Sequence, residues 1–244
     1  MTNKNNKNAF VGISIEHLIK KSLLNQPLII EKLKNKFNIK GSLESSASSG
    51  IYGEKSDIRI NFTCGHYIDA NIKGFKNSIG FNQLARTTVS KFCEHFGINE
   101  KDKSELETII ITKSKNRNNP LFSEEDRKKW EGFFVKNAKS LLKWGFSKNA
   151  SREILILYNR DTSIVKIYAM KDVLNCLPVN IVFTKGGFNI GDCISFQRKG
   201  GNGSFSKLIP KTTIQHPGNN IQLKVKINKL IEILEPVMLA EYKI

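Results

Sequence analysis

Three features of the sequence predict a mixed α/β fold. Two apolar runs of period two, Ile58, Ile60, Phe62 and then Ile68, Ala70, Ile72, flank the turn Thr63-Cys64-Gly65-His66. Strict alternation across a Gly-containing turn marks a β-hairpin with one buried face. Over 14–37 and 124–145 the apolar residues recur at helical spacing instead. From residue 153 onward the chain returns to short runs of strand length, at 153–158, 163–168, 180–184, 193–197 and 220–225. These runs divide the chain near residue 120 into a first lobe, 1–120, built on the hairpin, and a second, β-rich lobe, 121–244.

Taken in order, residues 1–9 read as disordered, being rich in Asn and Lys. Ser14 is the expected N-cap of a helix to Leu24, with Ile15, Leu18, Ile19 and Leu23 on one face. Pro27 opens a second helix through Leu28, Leu33 and Phe37. The Gly- and Ser-rich stretch 41–50 reads as a flexible loop. After the hairpin, Gly80-Phe81-Asn82-Gln83 leads into a predicted helix carrying Leu84, Thr88, Phe92 and Phe96, with Gly97 as its C-cap. Residues 100–120 are polar and basic around Ile109-Ile110-Ile111, and read as a mobile excursion. Ser123-Glu124-Glu125-Asp126 has the form of a capping box. It opens a long helix ending at Gly145, whose stripe of Trp130, Phe133, Phe134, Leu141 and Leu142 is expected to pack on the second-lobe sheet. Residues 226–234 read as a short closing helix.

Charge narrows the function classes. Lys and Arg number 39 against 22 Asp and Glu, a net +17. An excess of that size calls for a polyanionic partner. Codon bias in an AT-rich genome accounts for abundant Lys and Asn but not for the shortage of acid. No apolar run approaches the ~20 residues that span a bilayer. The N-terminal MTNKNNKN lacks a signal-peptide core, so the expected location is cytoplasmic, with no membrane partner. Cys64, Cys93, Cys176 and Cys193 form no CxxC pair, and the four His residues form no ligand-spaced cluster. Gly200–Lys207 lacks the GxxxxGK[ST] spacing of a nucleotide-binding loop.

The polar face of the hairpin carries Asp57, Arg59 and Asn61 on one strand and Asp69, Asn71 and Lys73 on the other. A turn centred on Gly65 sets Asp57 opposite Lys73, and a slip of two sets it opposite Asn71. A slip of one is excluded because it would expose the apolar face. In either permitted register Asp57, Asn71 and Lys73 converge within the ~5–8 Å reach of cross-strand neighbours. A carboxylate, a neutral oxygen donor and an ammonium are the parts that metal-assisted phosphodiester hydrolysis requires. Asp57 and Asn71 offer the oxygen ligands that Mg²⁺ prefers, with Mn²⁺ able to substitute. Lys73 is placed to orient a water or to neutralise charge on the phosphate.

Asp57 followed by Asn71-Ile72-Lys73 resembles the catalytic signature of the PD-(D/E)XK nuclease superfamily, with Asn in the usual acidic position. Within it, the sequence is similar to the small monomeric type II restriction endonucleases that cut four-base CG-containing sites. Lys55-Ser56-Asp57-Ile58 resembles the segment that carries the catalytic Asp, and Gly80-Phe81-Asn82-Gln83 a DNA-contacting turn. Cys193–Gly201 (CISFQRKGG) and Gly218–Lys224 (GNNIQLK) resemble the two halves of the family's recognition segment, with a longer insertion between them. Ser56 stands where the superfamily name has Pro.

The resemblance implies a central mixed β-sheet flanked by helices, with a second β-rich recognition lobe. It implies Mg²⁺-dependent hydrolysis of double-stranded DNA at a short palindrome of G and C, such as GCGC or CCGG, and a companion methyltransferase acting on the same site. Catalysis would rest on Asp57, Asn71 and Lys73. Glu16 resembles the helix Glu that often completes such sites, and equally fits an ordinary first-turn acid. Asp69 either compensates for the missing charge at position 71 or is a solvated strand-end acid. DNA contacts would come from Asn82, Gln83, Gln197, Arg198, Lys199, Gly200, Gly201, Asn220, Gln222 and Lys224. Two other functions share parts of this pattern: a nucleic-acid-binding module with an inactive site, kept open by Asn71, and a structure-specific repair nuclease, which would not need Gln197, Arg198 and Gln222.

Overall fold

The computed structural model describes residues 7–48, 56–76, 83–201 and 208–244. The fold is mixed α/β, as expected, with one six-stranded mixed sheet and one five-stranded antiparallel sheet. It resolves into two compact units that each gather separate stretches of chain. The first comprises Met1–Phe81, Ser147–Leu177 and Ile231–Ile244, and the second Asn82–Phe146 and Pro178–Leu230.

In the first unit, helices α1 (Lys7–Leu24) and α2 (Pro27–Phe37) precede strands β1 (Leu43–Ser48), β2 (Ile58–Phe62) and β3 (Tyr67–Phe75). Strands β5 (Glu153–Asn159), β6 (Ile164–Ala169) and β11 (Met238–Lys243) complete a sheet of order β1-β2-β3-β5-β6-β11, and helix α6 (Met170–Cys176) follows β6. The expected hairpin is there: Ile58, Ile60, Phe62, Ile68, Ala70 and Ile72 are all buried, in one core with Ile19, Leu23, Ile30 and Leu33 of the helices.

Several boundaries differ from expectation, each for a physical reason. α1 already includes 7–9, so Ser14 lies inside the helix and is not its N-cap. On α2 the buried residues are Ile29, Ile30 and Leu33, while Leu28 is 80% exposed. Pro27 occupies the first helical turn, as its fixed φ favours. The Ser-rich stretch after Gly41 is strand β1, pairing with β2 at the sheet edge, where little apolar surface is required. The residue-120 boundary does not hold. Strands β5 and β6, assigned to the second lobe, join the hairpin sheet, because parallel pairing of β3 with β5 covers the far edge of β3.

The second unit contains β4 (Gln83–Thr87), α3 (Val89–Phe96), α4 (Glu100–Lys115), α5 (Glu124–Phe146), β7 (Ile181–Thr184), β8 (Gly187–Ile190), β9 (Ile194–Arg198) and β10 (Ile221–Val225), with sheet order β4-β10-β9-β8-β7. The helix expected from Leu84 begins only at Val89. Thr88 is its N-cap, accepting from the Lys91 amide at 3.3 Å, and the residues before it pair with β10. The expected excursion over 100–120 is helix α4 as far as Lys115. Asn99 caps it and Leu106, Ile109 and Ile110 bury a narrow stripe, an i, i+3, i+4 spacing outweighed in the sequence by surrounding charge. Ser123 and Asp126 form the reciprocal cap of α5: Asp126 Oδ2 accepts from the Ser123 amide at 2.7 Å and Ser123 Oγ from the Asp126 amide at 3.1 Å. Phe134 then packs on Phe188 and Phe196 of the sheet, with ring centroids 4.4 and 5.3 Å away, as its stripe predicts. α7 (Ile227–Leu234) matches the expected closing helix.

Phe134 is fully buried among Phe122, Phe183, Phe188 and Phe196. Phe134→Ala is therefore expected to lower unfolding stability by about 3–5 kcal/mol, whereas Leu28→Ala should stay within about 0.5 kcal/mol. Denaturant unfolding monitored by circular dichroism checks both.

Candidate active site

The register of the hairpin fixes its chemistry. β2 and β3 pair Ile58 with Ala70 and Arg59 with Asp69. Asp57 therefore lies across from Asn71, and its amide donates to the Ala70 carbonyl at 2.8 Å. Of the two registers the sequence allows, the structure takes the one slipped by two from Gly65. Asp57 Oδ2 also accepts from the Ile72 amide at 2.6 Å and lies 3.9 Å from Lys73 Nζ. Asp57, Asn71 and Lys73 are thus brought together on one face of the sheet.

Glu16 joins them electrostatically. Burial and the neighbouring Asp57 carboxylate raise the Glu16 pKa, while Lys73 works against the rise. α1 reaches this position because Gly74 leaves room for it: a Cβ at Gly74 would lie 2.5 Å from Ile15 Cδ1. Among the described residues no group of three His, Cys, Asp or Glu could hold a metal. The available donors are instead the Asp57 and Glu16 carboxylates and the Asn71 amide oxygen. An all-oxygen set with two carboxylates close enough to repel one another fits a hard divalent cation.

A second row on the same face lies about 7 Å along the strands, two residues on. There Arg59 binds Asp69 through both nitrogens, Nε–Oδ1 at 2.8 Å and Nη2–Oδ2 at 3.1 Å. That bidentate pair engages both Asp69 oxygens, and Asp69 is 8% exposed, so it is not a solvated acid. Glu153 pairs in register with Asp69 from the neighbouring strand. Its Oε1 accepts from the amides of Lys148 and Asn149 at 3.0 and 2.7 Å, while Oε2 is buried with no hydrogen-bond partner. Tyr67 lies under the Arg59 and Arg152 guanidiniums, 4.1 and 4.4 Å from its ring centroid. These side chains line a cavity of about 250 Å³. Sequence reasoning missed Glu153 and Arg152; the signal available was an acid opening the apolar run ILILY.

In the second unit the strand pairing sets Arg86, Gln222 and Gln197 in one row across β4, β10 and β9, and Gln83, Lys224 and Ser195 in the next. Gln222 is 2% exposed and its Nε2 donates to the Lys199 carbonyl at 3.4 Å, so it is held under the loop that leaves β9. Lys199 and Asn220 are tied by a backbone hydrogen bond of 2.8 Å. Gly200 and Gly201 turn the chain at φ 65° and 73°, a conformation that side chains with a Cβ rarely adopt. Arg198 follows Gln197 in the strand and so leaves on the opposite face. Its Nε donates to Asn219 Oδ1 at 2.7 Å. Asn82 lies outside the described residues. Arg86, close enough to lower the Lys199 pKa after burial has done so, is a candidate the sequence reading missed, because its strand was taken for helix.

No protein-family model matches the chain, and no curated protein matches it. Among solved structures, the chain is similar to the restriction endonuclease MspI in its crystal structure with cognate DNA. The TM-score is 0.49 at 16% identity, covering 86% of this chain and 82% of that one. Among the described residues no helix is long and apolar enough to cross a membrane.

The cysteines give a check on the hairpin turn. The backbone hydrogen bond with His66 is the main influence holding the exposed Cys64 thiol below its ordinary pKa, whereas burial pushes Cys93 and Cys193 up to about 11. Since the thiolate is the reactive form, disulfide-exchange labelling at neutral pH should modify Cys64 faster than Cys93 and Cys193. Cys64→Ser should remove that fast phase, and the two buried thiols should respond only on unfolding.

Proposed function

We propose that this chain is a divalent-metal-dependent nuclease of the type II restriction endonuclease kind, cutting duplex DNA. The observation that carries this reading is the grouping of Asp57, Asn71 and Lys73 across one hairpin, with Glu16 brought against it by α1. A surface ion pair on a hairpin has no need of a buried amide and a second carboxylate beside it.

Asp57, Asn71 and Glu16 would hold the metal, Mg²⁺ or Mn²⁺, which when bound supplies Lewis-acid stabilisation of the phosphate and a more acidic water. Asn71 contributes an oxygen without charge, so affinity for the cation depends more heavily on the negative phosphate arriving with the substrate. Lys73, 3.9 Å from Asp57, holds a positive charge where it orients a water or meets the developing charge. Gln197 and Arg86, from one row of the second sheet, would contact the DNA, Gln197 at base edges. Gln222 would support the Lys199–Gly201 loop that frames them, with Lys199, Lys224, Asn220 and Gln83 on the backbone. The substrate in this reading is a short G/C palindrome, and a methyltransferase of the same specificity would protect the host.

Digestion of unmethylated phage DNA with Mg²⁺ tests it. Wild type should give discrete fragments, and Asp57→Ala and Lys73→Ala should each slow cleavage by about 100-fold or more. Gln197→Ala should keep cleavage and lose base discrimination worth roughly 1–3 kcal/mol. A smear lost in both active-site variants would favour a structure-specific nuclease. DNA binding without cleavage, in either Mg²⁺ or Mn²⁺, would favour the inactive binding module. Asn71→Asp separates the ligand role from a structural one: restoring a carboxylate should lower the Mg²⁺ concentration needed for half-maximal cleavage.

A further inference from the structure

Four cations converge in the second unit from separate parts of the chain: Lys113 near the end of α4, Arg117 just beyond it, Lys185 in the two-residue turn between β7 and β8, and Arg198 at the end of β9. Their positions are built. Lys113 Nζ donates to the carbonyls of Arg117, Asn119 and Lys185 at 2.9, 2.5 and 3.5 Å, and the Leu121 amide also donates to Lys185 O at 3.1 Å. The β7–β8 turn is thereby fastened to the segment after α4. Arg198 is fixed through Nε by Asn219, whose own amide nitrogen donates to the Lys211 and Thr213 carbonyls at 3.0 and 2.5 Å.

Holding like charges together costs free energy. Burial, then Lys185 and Arg198, lower the Lys113 pKa, and burial, then Arg117, lower that of Arg198. Several other cations are matched by acids: Lys103 by Glu100, Lys129 by Asp102 and Glu105, Lys166 by Glu235 and Glu241. No described acid forms an ion pair with Lys113, Arg117, Lys185 or Arg198. A surface that is merely solvated would let four flexible cations spread apart. Here hydrogen bonds fix the Lys113 ammonium on the carbonyls of Arg117, Asn119 and Lys185 and the Arg198 guanidinium on Asn219, while Arg117 and Lys185 are anchored through their backbone. Lys113 has all three ammonium donors engaged, so it adds charge, while exposed Arg117 and Lys185 and the remaining Arg198 N–H groups are left to donate outward.

We propose that Lys113, Arg117, Lys185 and Arg198 form a phosphate-binding patch for the backbone of a nucleic acid, separate from the Gln197–Gln222 row. The ligand class follows from the geometry: guanidinium forks, the fixed Lys113 ammonium and the neighbouring Lys185, with no described acid paired to them, suit phosphodiester oxygens. Arg198 is then a backbone anchor, on the face of β9 away from Gln197. The inference rests on the reading of the chain as a DNA-binding protein.

The test measures duplex binding by fluorescence anisotropy between 50 and 200 mM salt, in an Asp57→Ala background that blocks cleavage. Arg117→Gln and Lys185→Gln are chosen because both side chains are exposed and neither holds the Lys113 carbonyl cage through its side chain. Each should weaken binding several-fold for all sequences alike, and reduce the slope of log K against log salt by about one. Gln197→Ala, by contrast, should alter sequence preference and leave the slope intact. Unchanged affinity and slope in both cation variants, with the Asp57→Ala parent still binding, would overturn the patch and leave the DNA reading standing. A parent that binds no duplex at any salt in this range would overturn both. Reduced slopes in a protein whose wild type never cleaves would support the patch and sink only the nuclease.

Discussion

Holding Asp57 opposite Asn71 requires β3 to be paired along both edges, and much of the first unit follows from that requirement. β2 pairs antiparallel on one side and fixes the register that sets Asp57 across from Asn71. β5 pairs parallel on the other and leaves the strand no exposed edge between Asp69 and Phe75. A strand so enclosed has its backbone groups satisfied by its neighbours, so that Asn71 at 3% exposure and Asp69 at 8% can be polar and buried at once. The apolar side of the same strands carries the helices, and α1 passes over Gly74 with Glu16 in electrostatic reach of Asp57 and Lys73. Position and electrostatics of the site are therefore set by the same hydrogen-bonded ladder.

Charge is distributed differently in the two units. In the first, cations at the site are balanced: Lys73 by Asp57, and Arg59 by Asp69. In the second, burial and then Arg86 lower the Lys199 pKa, and burial and then Arg117 lower that of Arg198. Such positions are tolerable in the free protein only because water and mobile ions screen them. The overall +17 is thus not spread as a uniform coat; part of it is concentrated where hydrogen bonds hold cations side by side.

The hairpin was legible in the sequence because its signal is local. Alternation over a few residues identifies both strands, and exclusion of a one-residue slip leaves two registers, between which only the folded turn decides. The long helix α5 was equally plain, its cap and stripe both lying within a few turns. What escaped notice depended on partners distant in the chain. Residues 83–87 carry no strand pattern of their own and become β4 because β10 is there to pair with them. β5 and β6 read correctly as strands yet were given to the wrong sheet, since nothing within a strand names its neighbour. Gln222 sits in an alternating strand and looks exposed by pattern; the loop after β9 buries it. Glu153 and Arg152, which line the cavity next to the site, gain their meaning from the neighbours they meet there, Asp69 in register with Glu153 and the Tyr67 ring beside Arg152.

The parallel pairing of β3 with β5 also bears on how the chain comes to be assembled. Since β5 begins at Glu153 and β11 at Met238, the first unit cannot extend its sheet beyond β3 until the first stretch of the second unit has left the ribosome, nor complete it until β11 has followed. Contacts so distant in sequence form slowly, since a long loop must be closed before they stabilise anything. Until then β3 presents an unpaired edge, and its polar residues lack the neighbour that encloses them. A chain that has not yet reached β5 therefore carries Asp57, Asn71 and Lys73 on a hairpin whose second strand still lacks the neighbour that encloses it.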